Sequence, residues 1–560
     1  MNDLIRTDLN PAKDLVIATS LFIAAIAFLS LDWLQGIGGG VSSVGAERIM
    51  AGEIPYRDFW TMYAPGHFYL SALIFSIFGS HILVDWVSGS VITAAAACAC
   101  YLLARNFGGR FSGIACAVIF LAAMYNTGYF KHVGSYPPSS LLIFAELIFA
   151  TRYFRSAARN NLFWAGLLTG AAIVFKHDVG GYTAIATAVG LIFHSLCTPT
   201  TTDVRQRLTR LLIDLLIYLA SCVIIVFPIL LYFAVLAGPD MLQDLVIFPL
   251  TDFPFSRPEL YPSLWPSGVF EISGISRRIL ETFNYLCFAL PFLFFVLGVV
   301  ALVIAIRKRQ PEYAGPAVIF CILYVFHYAA AHVQINTHIV SMSVYGVLLG
   351  LLFYRLAIHG RSGHAAVIKR YLASGIAATL LFSQAIPPLY SRWSGRKLEK
   401  TALDLPKVSG TRLPPEEAQW ISELWAFVND RVPPGEPIYV GLHRHDVTVI
   451  GDHLLYFILD RPGATRYDEL HPAITDTSRV QHEMIGDLQE KNVRLIVLKH
   501  IFSNAKLDEI KQDYQRNLPN VGATGLDDFI RGYYFKSQQI GPYEIWLRRA
   551  NGSFVQGTEN

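Results

Sequence analysis

The stretch Gly52-Glu-Ile-Pro-Tyr-Arg-Asp-Phe-Trp-Thr-Met-Tyr-Ala-Pro-Gly-His-Phe-Tyr-Leu70 puts two prolines, an Arg-Asp pair and six aromatic rings side by side. It stands in a chain otherwise built for lipid. Of 560 residues 53% are hydrophobic and 16% charged, and mean hydropathy is +0.41. One soluble core cannot hide that much apolar surface, so the composition implies a polytopic membrane protein. The net charge of +3 carries no general nucleic-acid signal. All seven cysteines precede residue 330, so the polar C-terminal part has no disulfide.

A crossing helix needs about 20 predominantly apolar residues. This places spans near 14–31, 82–104, 111–126, 138–154, 162–176, 181–196, 211–236, 279–305, 313–331, 338–356 and 365–387, which is eleven in all. Basic residues alternate with them: Arg6 and Lys13, then Arg105 and Arg110, Arg152 to Arg159, Arg205 to Arg210, Arg307 to Arg309, and Arg355 to Arg370. Short cytoplasmic loops collect Lys and Arg, so these clusters predict a cytoplasmic N-terminus. The polar start, residues 1–13, reads as the lead into an uncleaved first span. An odd number of spans then puts the C-terminal region on the outer face. The expected domains are a transmembrane domain, 1–390, with a long first outer loop, 32–81, and an extracytoplasmic α/β domain, 391–560.

Within the loop, Ala46 to Gly52 predicts a short helix ended by glycine, and His67 to Phe78 an apolar helix too short to cross, suited to the membrane interface. In the C-terminal region, Glu416 to Asn429 and Thr477 to Lys491 are amphipathic, while Ile438-Tyr-Val-Gly and Val493 to Leu498 read as strands.

Ionisable groups at the ends of spans are the informative ones, because they are costly near lipid. On the outer side these are Asp32, Arg57 and Asp58, Lys131 and His132, Lys176, His177 and Asp178, and His332, Asn336 and His338. Carboxylates among Lys, Arg and His suit an anionic lipid headgroup, with one carboxylate left as a general base. Plainer readings stand beside this one. Arg57 and Asp58 would tie down the loop, Asp32 would end a helix at the interface, Lys176 to Asp178 would form a solvated turn, and the loop aromatics would make an interfacial belt. His443-Arg-His-Asp446 has no second set of metal ligands and reads as a surface loop, and Cys98-Ala-Cys100 reads as packing. Gly38-Gly-Gly40 lacks the Lys and Ser/Thr of a phosphate-binding loop.

The stretch from Gly52 to Leu70, placed after the first span, resembles the first outer loop of bacterial GT-C membrane glycosyltransferases, the group of protein O-mannosyltransferase-like and lipid A aminoarabinose transferase-like enzymes. Phe175-Lys-His-Asp-Val-Gly180 and Arg466-Tyr-Asp-Glu-Leu-His-Pro472 are similar to further pieces of these proteins. The resemblance implies a GT-C-like fold in the inner membrane. It also implies inverting transfer of one sugar from a polyprenyl-phosphate donor to a glycan, lipid or protein acceptor, and leaves the use of a divalent metal open. Asp32 and Asp58 are then the candidate bases. Arg57, Tyr63, His67, Lys131, His132, Lys176, His177, Asp178 and His338 are candidate contacts to phosphate or sugar. One departure stands out: where family members commonly carry an acid fourteen positions before the glycine matching Gly52, this chain has Gly38. The rival classes are a lipid or sugar transporter and a lipid-binding or assembly protein without catalysis. A transporter predicts repeated halves and broken spans, which the sequence lacks.

Overall fold

The computed structural model describes residues 10–198, 203–256, 274–358, 399–449, 451–515 and 520–549, with Leu518 and scattered positions between 379 and 394. In chain order its helices begin with α1 (Pro11–Ser30), α2 (Val41–Met50), α3 (Gly66–Phe78), α4 (Ile82–Thr127), α5 (Tyr136–Ser156) and α6 (Arg159–Phe175). They continue with α7 (His177–Cys197), α8 (Val204–Ala237), α9 (Ile275–Arg307) and α10 (Pro311–Phe353). The remaining helices are α11 (Pro415–Arg431), α12 (Leu454–Leu459), α13 (Ser478–Glu490), α14 (Asn504–Gln515) and α15 (Gly525–Tyr533). The chain forms two compact units. The first comprises residues 1–31, 87–230 and 259–397; the second comprises 32–86, 231–258 and 398–560.

The first unit is helical. Among the described residues seven helical segments are long and apolar enough to cross a membrane. The chain is a multi-pass membrane protein. Asn10 caps α1 by accepting the Lys13 amide at 3.1 Å, and Pro11 fills the first position, where no amide donor is needed. Two of the long helical runs double back. In a straight helix Cys100 and Cys116 would lie about 24 Å apart, yet their sulfurs are 3.5 Å apart. The reversal falls at Gly109, whose φ of 82° favours glycine. In the same way the ring nitrogens of His327 and His338, eleven residues apart, meet at 2.8 Å, so α10 is a hairpin. Both reversals agree with the predicted pairs of spans. Span 365–387 lies largely outside the described residues.

A single extended residue, Lys176, separates α6 from α7 (φ −151°, ψ 96°). The tightness of this turn depends on Gly180: a Cβ there would stand 2.6 Å from the Ile173 backbone. At the start of α1, Asp14 binds Tyr101 and Arg110, each at 2.9 Å, and pairs with Arg105, tying α1 to the Gly109 turn.

The second unit is mixed α/β. A four-stranded sheet has the order β3-β4-β6-β5, with β1 (Thr401–Ala402) and β2 (Arg412–Leu413) as a separate small pair. Strands β3 (Tyr439–Leu442) and β4 (Leu495–Lys499) run parallel. β6 (Tyr543–Arg548) pairs antiparallel with β4 and with β5 (Tyr534–Ile540). Buried residues fill both sides of β3 and β4, as the continuous apolar runs require. The loop helices belong to this core. Val44 and Ala46 of α2, and Ala72 and Phe75 of α3, pack with Leu424, Val440, Leu455 and Val497. The other face of α3 exposes Leu73, Ile77 and Phe78. Burying four or five such side chains contributes on the order of 5–10 kcal/mol before entropy is subtracted.

Candidate functional site

In the mixed unit the stretch from Gly52 to Leu70 is a scaffold of matched charges. Arg48, nearly buried at the end of α2, pairs with Glu53 and with Asp468 at 2.6 Å. It also donates to the carbonyls of Thr465 (3.2 Å) and Asp58 (2.8 Å), and its guanidinium lies over the Phe59 ring. Asp58 closes a turn. Its carboxylate accepts the Ile54 amide at 2.7 Å and both Arg57 donors, at 2.9 and 2.6 Å. Hydrogen bonding from Arg57 holds Asp58 below the usual carboxylate range. Tyr56, in the left-handed region at φ 69°, is buried and donates its hydroxyl to the Tyr63 carbonyl at 2.7 Å.

The segment that follows Thr465 completes this scaffold. Arg466 donates to the Tyr56 carbonyl at 2.5 Å and to Asp244 at 2.8 Å, and its own carbonyl accepts the Trp60 amide at 2.8 Å. Burial pushes the Asp244 carboxyl up to about 7, with Arg466 pulling against it. His67 is buried; its Nδ1 lies 3.0 Å from the Ala64 carbonyl, and its ring packs on Phe68 and beside Tyr63. Asp32 is nearly buried in the turn after α1, where its carbonyl accepts the Gln35 amide at 3.0 Å. Beside Arg48, Trp60, His453 and Asp468 line a cavity of about 30 Å³, room for one water or one hydroxyl group. Trp60 Nε1, Asp468 Oδ1 and both His453 ring nitrogens are buried without a hydrogen-bond partner among the described residues.

The helical unit gathers a second group. Lys176, nearly buried, has its Nζ 3.2 Å from Asp178. His177 and His338 lie within electrostatic range of the same carboxylate, as does His327. The Tyr182 ring stands edge-on to His327, and the Tyr136 hydroxyl is 2.5 Å from Ser341 Oγ. Lys131 ends a short 3₁₀ turn, Tyr129–Lys131, and the backbone of His132 lies against Gly89. The side chains of His332 and Asn336 fall outside the described residues.

Of the residues the sequence singled out, the helical unit thus brings together Lys176, His177, Asp178 and His338. Arg57 and Asp58 are joined in the mixed unit. Sequence reasoning missed His327, which looked like the interior of a span, and Arg48, which looked like an exposed residue of a short helix. For His327 the available signal was its eleven-residue spacing from His338 across a predicted turn. His443 to Asp446 differs from the expected surface loop. His445 is buried between Asp527, at 2.7 Å, and the Tyr439 hydroxyl, at 2.8 Å, and Asp446 is nearly buried against Arg444 and Lys511. Charge pairing makes that burial affordable.

The fold is the GT-C fold. It is similar to the crystal structure of ArnT from Cupriavidus metallidurans in the apo state, with a TM-score of 0.53 at 12% identity over 97% of this chain and 99% of that one. The same protein bound to undecaprenyl phosphate gives 0.51 at 12% identity, with the same coverage. The archaeal oligosaccharyltransferase AglB from Archaeoglobus fulgidus, in complex with an inhibitory peptide and a dolichol-phosphate, gives 0.50 at 13% identity over 95% of this chain and 74% of that one. No protein-family model and no curated protein sequence matches the chain.

Proposed function

We propose that this protein is a glycosyltransferase of the bacterial inner membrane that moves one sugar, with inversion, from a polyprenyl-phosphate donor to an acceptor at the outer face. In this reading the chain crosses eleven times, with the N-terminus cytoplasmic and residues 391–560 extracytoplasmic. The observation that carries it is the Lys176 group within a GT-C fold: one ammonium 3.2 Å from a carboxylate, with three imidazoles within electrostatic range of it. The acceptor hydroxyl attacks the anomeric carbon, its proton passes to a carboxylate, and the bond from that carbon to the phosphate oxygen breaks. Polyprenyl phosphate leaves as an anion. Lys176, supported by His177 and His338, supplies the countercharge for that leaving group, and Lys131 and His132 are further phosphate or sugar contacts.

We assign the base to Asp32, because both oxygens of Asp58 are engaged by Arg57 and Ile54 and its basicity is lowered. Asp58 and Arg57 then hold the loop, with Tyr63 and His67 beside it. The test is a transfer assay with full-length protein and radiolabelled polyprenyl-phosphate sugars. Turnover that vanishes in Asp32→Asn and survives in Asp58→Asn supports the assignment. Turnover indifferent to both changes removes the base. Absence of turnover with any donor, while polyprenyl phosphate still binds, favours the non-catalytic lipid-binding class, as Gly38 in place of an acid would suggest.

A further inference from the structure

The helical unit has a second polar site, at the opposite end of its helices from Lys176. A cavity of about 420 Å³ lies where α5 passes into α6 and α7 into α8. Its walls include Arg159, Arg207, Arg210, His194, Tyr153 and Asp214. Since α6 has 17 residues, at about 1.5 Å per residue this end stands roughly 26 Å from the Lys176 turn. That is close to the thickness of a bilayer core.

The site holds three guanidinium groups against one carboxylate. Asp214 is taken by Arg159 at 2.8 Å and by the Tyr153 hydroxyl at 2.6 Å. Arg207 donates to the Ser195 carbonyl, and His194 Nδ1 lies 3.1 Å from the Pro311 carbonyl. Arg210 has no ion-pair partner among the described residues. The internal pairs thus leave two positive charges, Arg207 and Arg210, over a space larger than one phosphate. Both α7 and α8, which line this cavity, are long and apolar enough to cross a membrane, so the two guanidinium groups stand at the end of membrane-crossing helices.

We propose that this cavity binds the phosphate headgroup of an anionic phospholipid, whose acyl chains lie in the surrounding bilayer. Basic pockets between membrane helices hold such headgroups by their charge. A free phosphate ion shares the headgroup's chemistry; the place of the cavity at the end of membrane-crossing helices is what favours the lipid.

The test is native mass spectrometry of delipidated full-length protein titrated with phosphatidylglycerol, phosphatidylcholine or inorganic phosphate. Each arm is repeated on Arg210→Gln, Arg210→Lys and, as a control for general surface charge, Lys308→Gln. Phosphatidylglycerol is expected to be retained in preference to phosphatidylcholine. Its apparent affinity is expected to fall about fivefold in Arg210→Gln, while Arg210→Lys and Lys308→Gln stay within twofold of the parent. Equal retention of both lipids, an unchanged Arg210→Gln, or an equal fall in Lys308→Gln would overturn the site. Saturable binding of inorganic phosphate that depends on Arg210, without lipid preference, would overturn the lipid assignment.

Discussion

From Glu47 to Asp58 every charge in the loop of the mixed unit faces an opposite one. Arg48 faces Glu53 and Asp468, Arg57 faces Asp58, Arg466 faces Asp244, and Glu47 faces Lys407. Around Lys176 in the helical unit, one ammonium stands 3.2 Å from one carboxylate, with three imidazoles within electrostatic range of it. In sequence the two regions look alike, as polar clusters beside apolar runs. Their chemistry differs. Matched buried pairs fix conformation and have little left for a ligand. An excess of donors around one acid is poised for an anion. The two regions thus separate residues that build the loop from those we propose to meet the lipid phosphate.

The sharpest way to break this division is Asp32→Asn. It is expected to lower transfer by about 10²–10⁴-fold, the usual worth of a general base, with thermal stability unchanged; a loss under tenfold in the radiolabel assay would remove Asp32 from the chemistry. Next, Lys176→Ala is expected to cost about 10²-fold in turnover, as for loss of one preorganised electrostatic partner, with partial recovery in Lys176→Arg. Arg48→Met belongs to the other side of the comparison. It strands Asp468 in a buried position and is expected to cost about 3–5 kcal/mol in unfolding free energy. Pairing it with Asp468→Asn should restore part of that loss. If Arg48→Met instead left the melting temperature unchanged while abolishing turnover, the loop would be functional rather than structural.

Asp58→Asn is expected to act more weakly, through the turn, costing about 1 kcal/mol of stability and less than tenfold in turnover. The smallest effect concerns pH. Burial raises the Asp446 carboxyl, but hydrogen bonds from Arg444 and Lys511 outweigh it and bring it down to about 2. A carboxyl depressed on folding stabilises above its unfolded value, near 3.8, and that stability is lost as pH falls toward 2. Allowing for solvent screening, the contribution is on the order of 1 kcal/mol. Asp446→Asn should flatten that part of the stability curve, measured by denaturant titration at pH 5, 4 and 3. A slope equal to the parent's would show that another group titrates.

Much of the fold was legible because it rests on local signals. The helix α3, the two predicted amphipathic helices and both strands fall within a few residues of their expected places, while α2 begins at Val41, before the expected start at Ala46. The reversal near Gly109 was visible as a gap between apolar runs. Long-range pairing was not legible. Arg48 meets Asp468 across 420 residues, and no periodicity in a short helix near residue 48 announces such a partner. Nor did the sequence reveal that α2 and α3 share a hydrophobic core with Leu424, Val440 and Val497, because each run alone also fits the membrane interface. His445 and Asp446 were misplaced for a related reason. A run of charged residues reads as solvated until its counter-charges, here Asp527, Arg444 and Lys511, are known.

Native mass spectrometry of the detergent-purified protein reads out whether the Lys176 group binds a polyprenyl phosphate. Polyprenyl phosphate or its sugar adduct should co-purify with the parent, be lost in Lys176→Ala, and persist in Arg57→Ala, whose charge is spent on Asp58. The mass of the adduct would name the class of sugar. Finding only bulk phospholipid, unchanged by Lys176→Ala, would contradict the account.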